Sequence, residues 1–245
     1  MKSETGNPKY SDLIENALED IRSGKFVLLY DSEKREGETD FVISAIKTQP
    51  EDVQKMRKDG GGLICVSIGP NEAEKLSLPY FADIVKNSDM GSEVKSIAEV
   101  EGDIAYDKKS SFSIWLNHRE NRTGIPDNDR SLTIRKLGEM VKRVKEGKEA
   151  HIYDEFRTPG HTATLRAAKG LLNERRGQTE LSIALAEMAN ITPAMVVCEM
   201  LDDYNGKALS KDDAIKYAKK EGFVFLEGKD VVEAYELFLE EKGEK

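Results

Sequence analysis

Apolar positions recur at helical spacing between Tyr10 and Arg22, where Leu13, Ile14, Ala17, Leu18 and Ile21 share one face. Ser11 is placed to cap that helix, with Glu15 close behind, and Ser23-Gly24 to end it. Two apolar runs follow, Phe26–Tyr30 and Phe41–Ala45, and both read as strands. Between them lies DSEKREGETD, Asp31 to Asp40. Glu51 to Lys58 reads as a short helix stopped by Gly60-Gly61-Gly62, Leu63 to Ile68 as a buried strand, and Asn71 to Leu76 as a helical turn. No period is clear from Phe81 to Asp107, which reads as a mobile excursion. Ser111 to Asn117 alternates as a strand does.

The second half repeats the mixture. Helices are predicted over 129–145, 162–172, 179–189, 212–221 and 231–239, and strands over 194–200 and 223–226. Helices and strands alternate irregularly, and several strands are free to pair antiparallel. The expectation is an α+β fold, a single domain over 1–245 with a mixed parallel and antiparallel sheet.

Composition bounds the function. The 245 residues carry a net charge of −9, with 38% apolar and 34% charged residues. That balance argues against a general nucleic-acid binder, which needs a basic face. A few arginines can still hold a small anion. The two cysteines, Cys65 and Cys198, lie outside any paired metal motif. No apolar run approaches the ~20 residues that span a bilayer, and MKSETGNPKY lacks a signal-peptide core. A cytoplasmic protein with reduced thiols is expected.

Asp31 to Asp40 has a plain reading as a solvated turn, since charge runs usually face water. An EF-hand fits poorly, because its required glycine position is Glu36. In a third reading, Glu36, Glu38 and Asp40 alternate along an extended exit and offer three carboxylates to one side, suiting Mg²⁺ or a polyhydroxylated ligand. Arg157-Thr158-Pro159-Gly160-His161 reads as a turn that leaves His161 at a helix start, either an incidental histidine or a proton carrier. Arg175-Arg176-Gly177-Gln178-Thr179 opens a helix and reads equally as a phosphate cradle or a basic cap. The Asn121–Ile125 loop, with Thr123, offers further donors. Glu199 ends a buried strand, where an unpartnered acid is costly. Cys65 lies in an apolar run and reads first as packing.

The order DSEKREGETD, GGLICVSI, TGIPDNDRSLTI, RTPGH, LRAAKGLL, RRGQTELSIALAEMA, VVCEM resembles 3,4-dihydroxy-2-butanone-4-phosphate synthase of riboflavin biosynthesis, from about Tyr10 to Phe225. Its form is similar to the stand-alone archaeal type, without a fused GTP cyclohydrolase II domain. The resemblance implies a three-layer fold with helices on both faces of the sheet. It also implies conversion of D-ribulose 5-phosphate to L-3,4-dihydroxy-2-butanone 4-phosphate and formate, with Mg²⁺ or Mn²⁺, in a homodimer whose sites lie at the interface. By the same resemblance Glu36 is a metal ligand, and Arg35, Glu36 and Asp40 meet the substrate. Asp31 and Glu38 flank them among the catalytic groups. Arg175, Arg176, Gly177, Gln178 and Thr179 form the phosphate segment. His161 and Glu199 are essential for catalysis, Glu199 also touching substrate. Cys65 and Thr123 line the pocket, and Cys65 is grouped with the catalytic residues. One departure stands out: the family's second metal ligand, a histidine in Arg-x-Gly-His-Thr, is Gln178 here. Its amide carbonyl is an oxygen donor but no acid or base at ordinary pH. A non-catalytic sugar-phosphate binder with an impaired metal site is therefore the alternative, and another sugar-phosphate lyase a further one.

Overall fold

The computed structural model describes residues 10–243. All of MKSETGNPKY except Tyr10 lies outside the described residues. In chain order the elements are helix α1 (Asp12–Ser23), strands β1 (Val27–Tyr30) and β2 (Thr39–Ser44), and α2 (Pro50–Lys55), which runs into a π turn. Then come β3 (Cys65–Ile68), α3 (Pro70–Lys75), α4 (Phe81–Asn87), α5 (Ser92–Lys95), β4 (Leu116–His118), α6 (Asp127–Lys145), α7 (Ile152–Glu155) and β5 (Phe156–Arg166). The chain closes with α8 (Gln178–Met188), β6 (Ala194–Glu199), α9 (Lys211–Glu221), β7 (Val224–Glu227) and α10 (Gly228–Lys242).

The strands form one mixed sheet in the order β4-β5-β3-β6-β2-β1-β7. β1 runs parallel to β7 and β3 to β5, while the other neighbours are antiparallel. Two apolar layers cover the sheet. One gathers Ile14, Leu18 and Ile21 of α1 with Leu181 and Leu185 of α8 and Val231 of α10. The other gathers Val53, Leu137, Val141 and Ala214 from α2, α6 and α9. The three-layer mixed-sheet expectation holds. Among the described residues no helix is long and apolar enough to cross a membrane.

Helix α1 follows its predicted capping: Ser11 Oγ accepts the Ile14 N–H at 3.4 Å, and Gly24 closes the helix at φ 82°. Two stretches depart from expectation. The segment 156–166 is a strand, not a turn followed by a helix, so His161 sits inside β5. Thr162 and Thr164 are fully buried there, and a strand covered on both faces lacks the polar alternation that would have marked it. A bulge between Leu116 and Asn117 absorbs Pro159, which cannot donate to the ladder. The stretch 81–107 is built from two short helices and turns instead of being featureless, and only Leu116–His118 of the expected 111–117 strand is regular.

Register carries the site. Asp40 on β2 lies opposite Glu199 on β6, and Cys65 on β3 lies opposite Val197 on β6 and Ala163 on β5. Period-2 alternation puts Asp40, Cys65 and Glu199 on one face, the face on which α8 packs. His161 is on β5 at the same end of the sheet, with β3 between it and β6.

Candidate active site

Asp31, Glu36, Glu38 and Asp40 do not act alike. Asp31 is 4% exposed, and its carboxylate accepts the backbone N–H groups of Glu36, Gly37 and Glu38 at 3.1–3.2 Å. It folds the acidic loop and does not line the cavity, which corrects its expected place among the catalytic groups. The turn it holds brings Glu36 to a cavity of about 130 Å³ shared with Asp40, Cys65, Gln178, Thr179 and Glu199.

Like charge is concentrated there. Burial, then the Asp31 carboxylate, raises the pKa of Glu36. Glu38 does not line the cavity, but burial, with Glu36 and Glu199 adding to it, pushes its pKa up to about 7. Fully buried Asp40 rises well above the usual range, by burial first and then by Glu199, Glu36 and Glu38. Such a cluster is relieved by protons or by a cation. Cys65 is 2% exposed, and burial together with the Glu199 and Asp40 carboxylates drives its thiol pKa up. It lines the cavity as expected, but as an un-ionised wall, not as an acid–base group.

Gln178 is the first residue of α8. Its Nε2 donates to the carbonyls of Leu29 and Glu38 at 2.9 and 3.3 Å. Two carbonyl acceptors fix which end of the amide is nitrogen. Oε1 is then left buried without a partner, as is Asp40 Oδ1. These unsatisfied oxygens beside Glu36 fit a hard divalent cation. Among the described residues no three His, Cys, Asp or Glu side chains close a cage by themselves. An ion of the Mg²⁺ type takes one or two protein carboxylates and completes its shell with water and substrate oxygens.

The expected phosphate segment is less open than its sequence suggests. Arg175 donates to Asp107 at 2.6 Å and to Glu180 at 2.5 Å, and Arg35 donates to the same Asp107 oxygen at 2.8 Å. Burial opposes ionisation of Asp107, yet Arg35 and Arg175 hold its pKa below the usual carboxylate range. Gly177 lets the Arg175 guanidinium lie close over the backbone, where a Cβ would push it aside. Arg176 turns back to the Leu172 carbonyl at 3.2 Å. Arg35 and Arg175, with Tyr106 and Asp107, also border a wider opening of about 460 Å³ next to the acidic cavity.

His161 and Thr123 are brought to each other but not to that cavity. Both are exposed, and neither lines the cavity within one chain. They meet through Asn117, which is fully buried on β4. Sequence reading missed Asn117, Tyr106, Asp107 and Glu180. Asp107 lies 72 residues from Arg35 and Asn117 lies 44 from His161, so no local pattern could announce either pairing.

A carboxylate-rich cavity, bordered by a guanidinium pair, at one end of a three-layer mixed sheet is the arrangement of a small-molecule site. The family model for 3,4-dihydroxy-2-butanone 4-phosphate synthase matches residues 15–234. A protein of that name from Methanosarcina mazei is 56% identical over 94% of this chain and 94% of its own. Another, from Archaeoglobus fulgidus, is 52% identical over 92% of this chain and 95% of its own. A solved structure of a 3,4-dihydroxy-2-butanone 4-phosphate synthase in complex with two magnesium ions shares the fold, with a TM-score of 0.74, 23% identity, and coverage of 96% of this chain and 100% of that one. The chain belongs to the 3,4-dihydroxy-2-butanone 4-phosphate synthase family.

Proposed function

We infer that this protein is a divalent-cation-dependent lyase of riboflavin biosynthesis that converts D-ribulose 5-phosphate to L-3,4-dihydroxy-2-butanone 4-phosphate and formate. The observation that carries the reading is the buried, unpartnered Gln178 Oε1 and Asp40 Oδ1 among mutually repelling carboxylates, in a chain with 52–56% identical relatives of that name. It also weakens the alternative of a non-catalytic binder, because Gln178 still presents an oxygen where the family has a histidine.

In this reading Glu36 and Gln178 hold Mg²⁺ or Mn²⁺. Held there, such an ion would supply Lewis acidity beside the ketone. The residues do the rest. Arg35 and Arg175 hold the phosphate, whose binding energy fixes the sugar without the phosphate reacting. Asp107 yields its place between the two guanidiniums as the phosphate arrives. Glu38, whose pKa lies near 7, and Glu199 move the protons for enediol formation, dehydration, the skeletal shift and expulsion of C4 as formate. Thr179 and Asp40 orient hydroxyls, and Cys65 closes the wall. His161 and Thr123, exposed at the same end of the sheet, complete the pocket of a second copy of this chain, so the working unit is a homodimer in the cytoplasm.

The test is incubation with D-ribulose 5-phosphate and Mg²⁺ followed by formate assay. Folded, metal-supplied protein that releases no formate sinks the reading. Binding of the sugar phosphate without turnover, with formate release restored by Gln178→His, would support the alternative instead.

A further inference from the structure

Asn117 makes three contacts that leave its amide no choice of orientation. Its Oδ1 accepts the backbone N–H of His161 at 2.9 Å. Its Nδ2 faces the Thr123 carbonyl at 3.3 Å and His161 Nδ1 at 3.0 Å. A backbone N–H only donates and a carbonyl only accepts, so the oxygen and nitrogen ends are both assigned. The group facing His161 Nδ1 is therefore a donor.

The imidazole tautomer follows. Nδ1 must offer its lone pair to the amide, so the ring proton of the neutral form sits on Nε2. A proton on Nδ1 would set two N–H groups against each other. The surroundings are built to hold this arrangement. A Cβ at Gly124 would collide with the Asn117 amide, and one at Gly160 with the backbone of Leu116 and Asn117. Gly124 sits at φ +105°, a region that side chains disfavour. Asp129 Oδ2 then fixes the loop by accepting the N–H groups of Thr123 and Gly124 at 3.0 and 2.7 Å. The glycines of RTGI and RTPGH thus serve one purpose, letting two backbones close on a buried asparagine.

We propose that Asn117 is a positioning residue that locks His161 as the neutral Nε2–H tautomer, so that His161 meets the sugar phosphate as a hydrogen-bond donor and not as the base that takes the first proton. The functional half rests on the synthase reading above; the tautomer half does not. A donor at Nε2 suits a ketone or hydroxyl oxygen on which negative charge builds. Removal of the first carbon-bound proton then falls to the carboxylates.

The experiment is ¹⁵N NMR of the histidine ring nitrogens in the full-length protein, with the His161 signals assigned by their loss in His161→Gln. The wild type is expected to show a protonated Nε2 and a bare Nδ1. In Asn117→Asp one carboxylate oxygen still accepts the His161 N–H, while the other now needs a donor, so the two ring signals exchange character. Turnover of D-ribulose 5-phosphate in that variant should lose about tenfold or more in kcat with KM little changed. A wild-type spectrum with the proton on Nδ1 overturns the proposal without any variant having to fold. Exchanged signals with unchanged kcat overturn its functional half. Wild-type protein that carries the expected tautomer yet releases no formate supports the tautomer half and defeats the synthase reading, and with it the functional half.

Discussion

The two ends of the candidate site are built on opposite principles. Around Asp40, carboxylates crowd one another, and two buried oxygens have no partner. Around Asn117, the polar groups are paired: the amide donates and accepts, and Asp129 ties down the loop behind it. The first region holds an unfavourable charge arrangement that a ligand relieves. The second is satisfied before any ligand arrives. In the proposed function an ion and a sugar phosphate would complete the first half, and a second copy of the chain would bring the other half up to it.

Removing a charge from the crowded half gives the largest expected effect. In Glu199→Gln the Leu63 N–H, now donated to Oε2 at 2.7 Å, still finds an oxygen, but the carboxylate is lost. Formate release should fall about 10²–10⁴-fold, the usual range for a proton-transfer group, with cooperative unfolding kept. Near-normal turnover would remove Glu199 from the mechanism.

Mixing the halves gives the next effect. If His161 serves the partner's cavity, inactive Glu199→Gln and His161→Gln chains should complement after co-refolding. One intact site per heterodimer in a statistical mixture recovers about a quarter of wild-type activity. Heterodimers that form yet stay inactive would place His161 in its own chain's pocket.

Mg²⁺ should stabilise the crowded half alone. At 100 times Kd the gain is about 2.7 kcal/mol, roughly 5–10 °C in Tm for a chain of this size. The pH sense follows from Glu38. Its folded pKa, about 7, exceeds its unfolded value, so the metal-free fold holds the extra proton between them. Its contribution to stability is therefore fully present below the ordinary carboxylate range and lost as pH rises through about 7. Binding of the ion needs the carboxylates bare, so the Mg²⁺ shift should be larger at pH 8 than at pH 6. An equal shift at both, read by calorimetry, would separate the ion from this cluster.

Much of the crowded half could be read from the chain, because its acids sit within one ten-residue loop and at strand ends flanked by apolar runs. What could not be read was which acid points where. Asp31 looks equivalent to Glu36 in sequence, yet caps the loop, since only the fold decides which carboxylate meets the backbone N–H groups. The satisfied half was misread for another reason. Thr158-Pro159-Gly160 carries turn residues, and only the pairing of Arg157 before it and Thr162 after it with β4 keeps it within a strand. The β-branched Thr162 and Thr164 were the signal available for a strand there.

The smallest effect tests the support of the satisfied half. Asp129 accepts from Gly124 and Thr123, and these N–H groups, Gly124 first, hold its pKa below the usual carboxylate value. A lowered folded pKa adds stability that is present above the unfolded value and lost as pH falls through the folded one. The carboxylate is largely solvated, so the hydrogen bonds, discounted for screening, are worth about 1 kcal/mol. Asp129→Asn should lower Tm by about 2–4 °C at neutral pH and lose less stability than the wild type on acidification below pH ~4. Because the variant leaves the cavity carboxylates untouched, its Mg²⁺-dependent Tm shift should equal that of the wild type. A diminished shift would mean that the two halves are mechanically joined within one chain, and the contrast between a strained half and a satisfied one would have to be redrawn.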